Sequence, residues 1–134
     1  MKFYAIRGAT TALTNSSSDI ELASVELISS ILTKNKLDKS NLVSLIASVT
    51  ADIKAANPVK FIRSSGLVAD TPVFCVQEAS IDNDIKLCIR VLLHVQTDCD
   101  FTPTHIYLNG AKVLRPDLVN WIMNNEYWIM IVNY

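Results

Sequence analysis

Glycine, proline, cysteine, histidine and arginine are all scarce in this 134-residue chain. With three glycines there is no glycine-rich loop of the kind that cradles phosphate. The three cysteines, Cys75, Cys88 and Cys99, are odd in number and lack metal-ligand spacing, so a reduced, cytoplasmic setting is expected. His94 and His105 stand far apart, with no H-x-x-x-H or H-x-x-C pattern, which argues against zinc. Nothing in the spacing recommends a nucleophilic pair such as Cys75 with His94. No apolar run approaches the roughly 20 residues of a membrane-spanning helix, and no secretory leader is expected. A net charge of -1 supplies no basic excess for nucleic acid or an anionic membrane.

What remains suits one globular domain. Half the residues are apolar and 19% are charged, and a chain of 134 can bury a core without disulfides or metal. Residues 2–7 read as a strand ending at Gly8. Ser18 and Glu21 form a capping-box pattern. Behind it, Ile20, Ala23, Leu27, Ile28 and Ile31 fall at helical spacing, which predicts a helix to about Lys34 with that stripe in the core. Residues 42–50 read as a largely buried strand. Asn57-Pro58 opens a short helix that stops at Gly66. Residues 72–79 read as a strand, and the apolar run 83–96 as a helix. Asn109-Gly110 marks a hairpin between 104–108 and 111–115. The order βαβαβαββ predicts an α/β (α+β) domain with a mixed sheet.

The four arginines fall at informative places. Arg7 and Arg115 close expected strands, where α/β folds place ligand sites. Arg63 follows Lys60 by three residues, so the two cations share a helix face. Arg90 lies between Ile89 and Val91 in the apolar run 83–96. A guanidinium there is costly unless an anion satisfies it. Two readings stand side by side: an internal ion pair with Glu78, or a buried anionic ligand gripped by the arginine's planar fork of donors. Cys88, on the same run, reads as core packing. A site rich in cations and poor in acid–base groups suits a small polycarboxylate whose reaction needs neither proton transfer nor nucleophile.

In order along the chain stand Ala5-Ile6-Arg7-Gly8-Ala9-Thr10-Thr11, Pro58-Val59-Lys60 with Arg63, and Pro72-Val73-Phe74-Cys75-Val76-Gln77-Glu78. Lys86-Leu87-Cys88-Ile89-Arg90-Val91, Val95-Gln96-Thr97-Asp98, Ile106-Tyr107-Leu108 and Val113-Leu114-Arg115-Pro116-Asp117-Leu118 follow. In order and spacing these segments resemble the AroH-class chorismate mutases. The resemblance covers most of residues 5–118. It implies a mixed-sheet subunit that joins two others in a homotrimeric pseudo α/β-barrel with active sites between subunits. It also implies a cofactor-free, metal-free Claisen rearrangement of chorismate to prephenate, in phenylalanine and tyrosine biosynthesis.

By the same resemblance Arg90 donates to the ether oxygen of chorismate and touches a carboxylate. Arg7 and Tyr107 bind the enolpyruvyl carboxylate, Glu78 accepts from the ring hydroxyl, and Cys75 neighbours that contact. The strand Phe74, Cys75, Val76, Gln77 and Glu78 supplies backbone groups. Lys60, Arg63 and Arg115 surround the mouth, and Leu114 packs on the ring. Two features depart from the family pattern. Asn57 stands where a bulky aromatic is expected near the entrance. Residues 119–134, in which Trp-Ile-Met recurs at 121–123 and 128–130, form a hydrophobic tail beyond a mutase domain at 1–118. The tail is expected to pack on its own domain or a neighbouring subunit, with a membrane-surface contact or an atypical C-terminus as the other options. The functional alternative is a non-catalytic trimeric module that binds a small anion.

Overall fold

The computed structural model describes the backbone of residues 1–124 and 127–132 and the side chains of residues 1–117. A mixed sheet is built from β1 (Lys2–Thr11), β2 (Leu42–Val49), β3 (Val73–Gln77), β4 (Cys88–Thr97) and β5 (Ile106–Tyr107). Its order is β3-β2-β4-β1-β5. β4 runs antiparallel to β1 and β2, while β3 is parallel to β2 and β5 to β1. Two helices, α1 (Ser17–Lys34) and α2 (Pro58–Ser64), make the β1-to-β2 and β2-to-β3 crossovers. Parallel strands need such crossovers, so both helices are tied to the sheet by connectivity.

The helices bury one face of the sheet. Leu27, Ile28 and Ile31 of α1, with Val59 and Ile62 of α2, pack on Ile6, Leu45, Ala47, Val91, Leu93 and Val95. Each large apolar side chain fully buried here contributes about 1.5–3 kcal/mol. The expected α1 stripe is buried at every position. Its cap differs: Ser16, not Ser18, accepts from the Asp19 N–H at 3.2 Å. Thr14 Oγ1 in turn donates to Asp19 Oδ2 at 2.6 Å, so the start is fixed two residues before the expected Ser18 cap.

Three further expectations are corrected. β1 does not end at Gly8 but pairs with β4 from Lys2 to Thr11. Gly8 is there for close approach: a Cβ would stand 2.7 Å from Ile31 Cδ1 and 3.2 Å from Val91 Cγ2. The run 83–96 is not a helix; its main part is β4, whose Ile89, Val91, Leu93 and Val95 are buried on the core side while Arg90, Leu92, His94 and Gln96 lie on the opposite face. The two-residue alternation from Ile89 to Gln96 and the β-branched Ile89, Val91, Val95 and Thr97 were the better signals. Asn109-Gly110 does not turn a hairpin. Only Ile106–Tyr107 is strand, paired parallel to β1, and Asn109–Leu114 is a 3-10 helix. Asn109 takes a positive φ of 52° and donates to Thr10 Oγ1, and Gly110 N–H donates to Thr11 Oγ1. The Asn-Gly pair thus docks this segment on the end of β1.

Beyond Pro116–Leu118, another 3-10 turn, β6 (Val119–Asn124) and β7 (Tyr127–Val132) pair as a separate antiparallel hairpin. The recurring triplet lies across it, Trp121 opposite Met130 and Met123 opposite Trp128. The expected packing of this tail concerns side chains outside the described residues. Among the described residues no helix is long and apolar enough to cross a membrane.

Candidate active site

The face of the sheet away from the helices carries the chemistry. Residues directly opposite one another on neighbouring strands point to the same side. Ser48, Arg90, Ala9 and Tyr107 form one such row across β2, β4, β1 and β5. Ile46, Leu92 and Arg7 form the next. Strand register therefore brings Arg7 and Arg90, distant in sequence, onto adjacent rows. The rows floor a cavity of about 530 Å³, with Glu78, Leu114 and Arg115 in its walls. That volume suits a small ligand. The 3-10 helix Asn109–Leu114 closes one end, seating Ala111 against Ala9, Cys88 and Tyr107.

Arg90 is the centre of this arrangement. Nη1 donates to Glu78 Oε2 at 2.7 Å, and Nη2 stands 3.6 Å from Asp84 Oδ1. Its side chain is 29% exposed and that of Glu78 10%, so the internal ion pair exists. It does not use up the guanidinium. Nε is buried and, among the described side chains, is the one buried polar atom without a hydrogen-bond partner. An unpaired buried donor is costly, and a ligand acceptor in the adjoining cavity would remove that cost.

Glu78 is fixed from β2. Its N–H donates to Val49 O at 2.9 Å, and Ser48 Oγ donates to its Oε1 at 2.5 Å. Arg115 forks onto Asp117 with contacts of 2.9 and 2.7 Å and lies 5.9 Å from the Tyr107 ring centre. Hydrogen bonds to Asp117 and Tyr107 raise its pKa. His105 Nδ1 accepts the Arg7 N–H at 3.0 Å, which prolongs the β1–β5 pairing by one rung. Burial, then Arg115 and Arg7, lower the pKa of His105 and favour its neutral form.

The thiols are poor nucleophiles here. Burial pushes Cys88 up to about 11, against the opposing pull of Arg90. Burial also raises Cys75. With Arg90 salt-bridged to a carboxylate and both thiols held protonated, the cavity is equipped for hydrogen bonding and charge stabilisation.

Of the residues expected at the site, Arg7, Glu78, Arg90, Tyr107, Leu114 and Arg115 meet around the cavity. Lys60, Arg63, Phe74, Cys75, Val76 and Gln77 are not in its lining. Lys60 and Arg63 are exposed on α2, and Arg63 Nη2 donates to Val73 O at 3.2 Å. Phe74 and Val76 share the open face with Ile46 and Ser48, whereas Cys75 sits opposite Ala47 and packs on the core. Asn57, the departure at the entrance, caps α2: its Oδ1 accepts the Val59 N–H at 3.0 Å. Sequence reasoning missed Ser48, Asp84 and His105. The strand alternation of residues 42–50 was the available signal for Ser48; the other two act through contacts that no local pattern records.

A mixed α/β sheet whose open face bears an arginine-lined cleft defines a protein equipped for a small anion. The family described as Chorismate mutase type I matches residues 3–118. The chain is 35% identical over 119 residues to chorismate mutase AroH of Bacillus subtilis (strain 168), covering 88% of this chain and 94% of that protein. Its fold matches a solved chorismate mutase from Clostridium thermocellum with a TM-score of 0.77 and 39% identity, over 82% of this chain and 98% of that one. The chain belongs to the type I chorismate mutase family.

Proposed function

We propose that this protein rearranges chorismate to prephenate without a cofactor, as a cytoplasmic homotrimer with active sites between neighbouring subunits. The observation that carries the reading is the buried, unpartnered Nε of Arg90 beside a cavity that also holds Arg7. As the C–O bond of chorismate breaks, negative charge grows on the ether oxygen. A donor preoriented at that oxygen binds the transition state more tightly than the ground state, and that difference is catalysis. Glu78 holds Arg90 in place and accepts from the ring hydroxyl. It does not act as a base, because no proton moves in the rearrangement. Arg7 and Tyr107 take the enolpyruvyl carboxylate, and Leu114 packs on the ring. Holding the side chain folded over the ring supplies the remainder of the acceleration.

The second half of the site comes from a neighbouring subunit in this reading. Its Lys60 and Arg63 then face the second carboxylate, joined at the mouth by Arg115 of the first subunit, with Cys75 and the backbone of residues 74–78 nearby. Support comes from the separation of Lys60 and Arg63 from the cavity, and from the open sheet face. There Phe74 is 68% exposed, Ile46 40% and Val76 39%, apolar surface that a second copy would cover. Residues 1–118 form the mutase domain and 119–134 an appended tail.

Mixing tests the arrangement. Arg90→Ala and Arg63→Ala each lose most activity. Co-refolded in equal amounts, they regenerate sites with both native halves, about a quarter of the total if subunits mix at random. Activity that stays at the sum of the two variants contradicts an intersubunit site. The alternative module predicts anion binding with no turnover by the wild-type protein.

A further inference from the structure

Among the described residues, Ser48 is the one hydroxyl in the cavity lining besides that of Tyr107, and the proposed mechanism leaves it without a task. It stands opposite Arg90 on β4 and opposite Val76 on β3, so it lies between the arginine and the strand that leads to Glu78. The Glu78 carboxylate is shared: Oε1 accepts from Ser48 Oγ at 2.5 Å, and Oε2 accepts from Arg90 Nη1 at 2.7 Å. Glu78 itself is one residue past the end of β3, where strand pairing has stopped. Its main chain is held by Val49 O and its side chain by Ser48, so one stretch of β2 fixes both ends of the residue.

The last torsion of a glutamate is soft and nearly two-fold, so one partner does not fix the carboxylate plane. Two partners on different oxygens do. The guanidinium of Arg90 has one close anion, Glu78, and a looser one, Asp84 at 3.6 Å. Its orientation, and with it the direction of Nε–H, follows the plane of the Glu78 carboxylate. We infer that Ser48 is a positioning residue whose hydroxyl sets the Glu78 carboxylate and, through it, aims the free donor of Arg90 into the cavity. The inference rests on the proposal that Arg90 serves the developing charge of the rearrangement. It adds a residue that acts in the transition state without touching the substrate.

A double-mutant cycle tests this, because a residue acting only through Glu78 has no effect once Glu78 is gone. The kcat and KM for chorismate are measured for wild type, Ser48→Ala, Ser48→Thr, Glu78→Ala and the Ser48→Ala/Glu78→Ala pair. Ser48→Ala is expected to lower kcat about tenfold with KM within about twofold, the pattern of an interaction expressed in the transition state. Ser48→Thr restores the hydroxyl and recovers most of the loss. The double variant is expected to match Glu78→Ala within about twofold. The inference is overturned by a Ser48→Ala kcat within about twofold of wild type, by an equal tenfold loss in the Glu78→Ala background, or by a raised KM at unchanged kcat. Circular dichroism checks each fold, and Ser48→Cys carries the same comparison if Ser48→Ala does not fold. Wild-type turnover is read first: its absence removes the reading of the site and this inference with it, whereas turnover indifferent to Ser48→Ala removes this inference alone.

Discussion

Replacing Arg90 with lysine separates charge from geometry. Arg90, which lines the cavity, presents Nη1 to Glu78 and Nη2 towards Asp84, and its Nε is buried and unpartnered. A lysine ammonium keeps the positive charge but is a single point on a flexible stem. Satisfying Glu78, 10% exposed, occupies it there and leaves no donor where Nε stood. The loss is that of one preorganised donor to developing charge, about 3–4 kcal/mol, or roughly two to three orders of magnitude in kcat. Arg90→Ala adds a folding cost. Removing one partner of a buried pair costs about 3–5 kcal/mol, and the lower end applies because Ser48 still donates to Glu78 and Arg90 is 29% exposed. The assay follows loss of chorismate absorbance under saturating substrate, with thermal unfolding in parallel. Arg90→Lys should fold as stably as wild type to within about 1 kcal/mol and lose at least a hundredfold in kcat. A kcat within about fivefold of wild type would refute the claim that donor geometry, beyond charge, carries the acceleration.

Gly8→Ala puts a methyl 2.7 Å from Ile31 Cδ1, so overpacking between β1 and α1 should lower stability by about 1–3 kcal/mol, read as a lower melting temperature. Asp52 carries an acid limb of stability. Burial raises its pKa, but hydrogen bonds from Thr50 Oγ1 and the Leu87 N–H prevail and leave it below 3.8. A depressed carboxylate contributes fully above its unfolded pKa and loses that contribution as pH falls through the folded value. Asp52→Asn should therefore lower the melting temperature at pH 7 and flatten its fall below about pH 4; an unchanged acid limb contradicts this. Asn57→Ala removes the α2 cap and should cost about 1 kcal/mol. A transition-state analogue should raise the melting temperature, since it binds the folded protein alone.

The parts of this protein written in local pattern were readable before its fold was known. The α1 stripe, the Asn57-Pro58 start of α2, and strands near β2 and β3 all fall where capping chemistry and periodicity put them. The errors have separate causes. β4 alternates between core and cleft, but Cys88 and Leu92 on the cleft side made the run look apolar throughout and masked its two-residue period. Asn109-Gly110 has the chemistry of a tight turn, yet its polar groups are satisfied by Thr10 and Thr11 on a strand about a hundred residues away. Site residues were legible as types: a lone arginine among aliphatics, with a glutamate on the preceding strand. Their assembly was not, because it depends on register. Misreading β4 as a helix still left Arg90 against Glu78, but it hid Ser48, which meets Arg90 only once β2 and β4 are paired.

The most direct test of the account is a turnover assay of the purified wild-type protein with chorismate, counting prephenate by its acid conversion to phenylpyruvate. Stoichiometric prephenate, formed without added metal or cofactor, is the predicted result. A folded protein that binds the transition-state analogue yet leaves chorismate unchanged would contradict it, and would make the arginine cleft a binding site only.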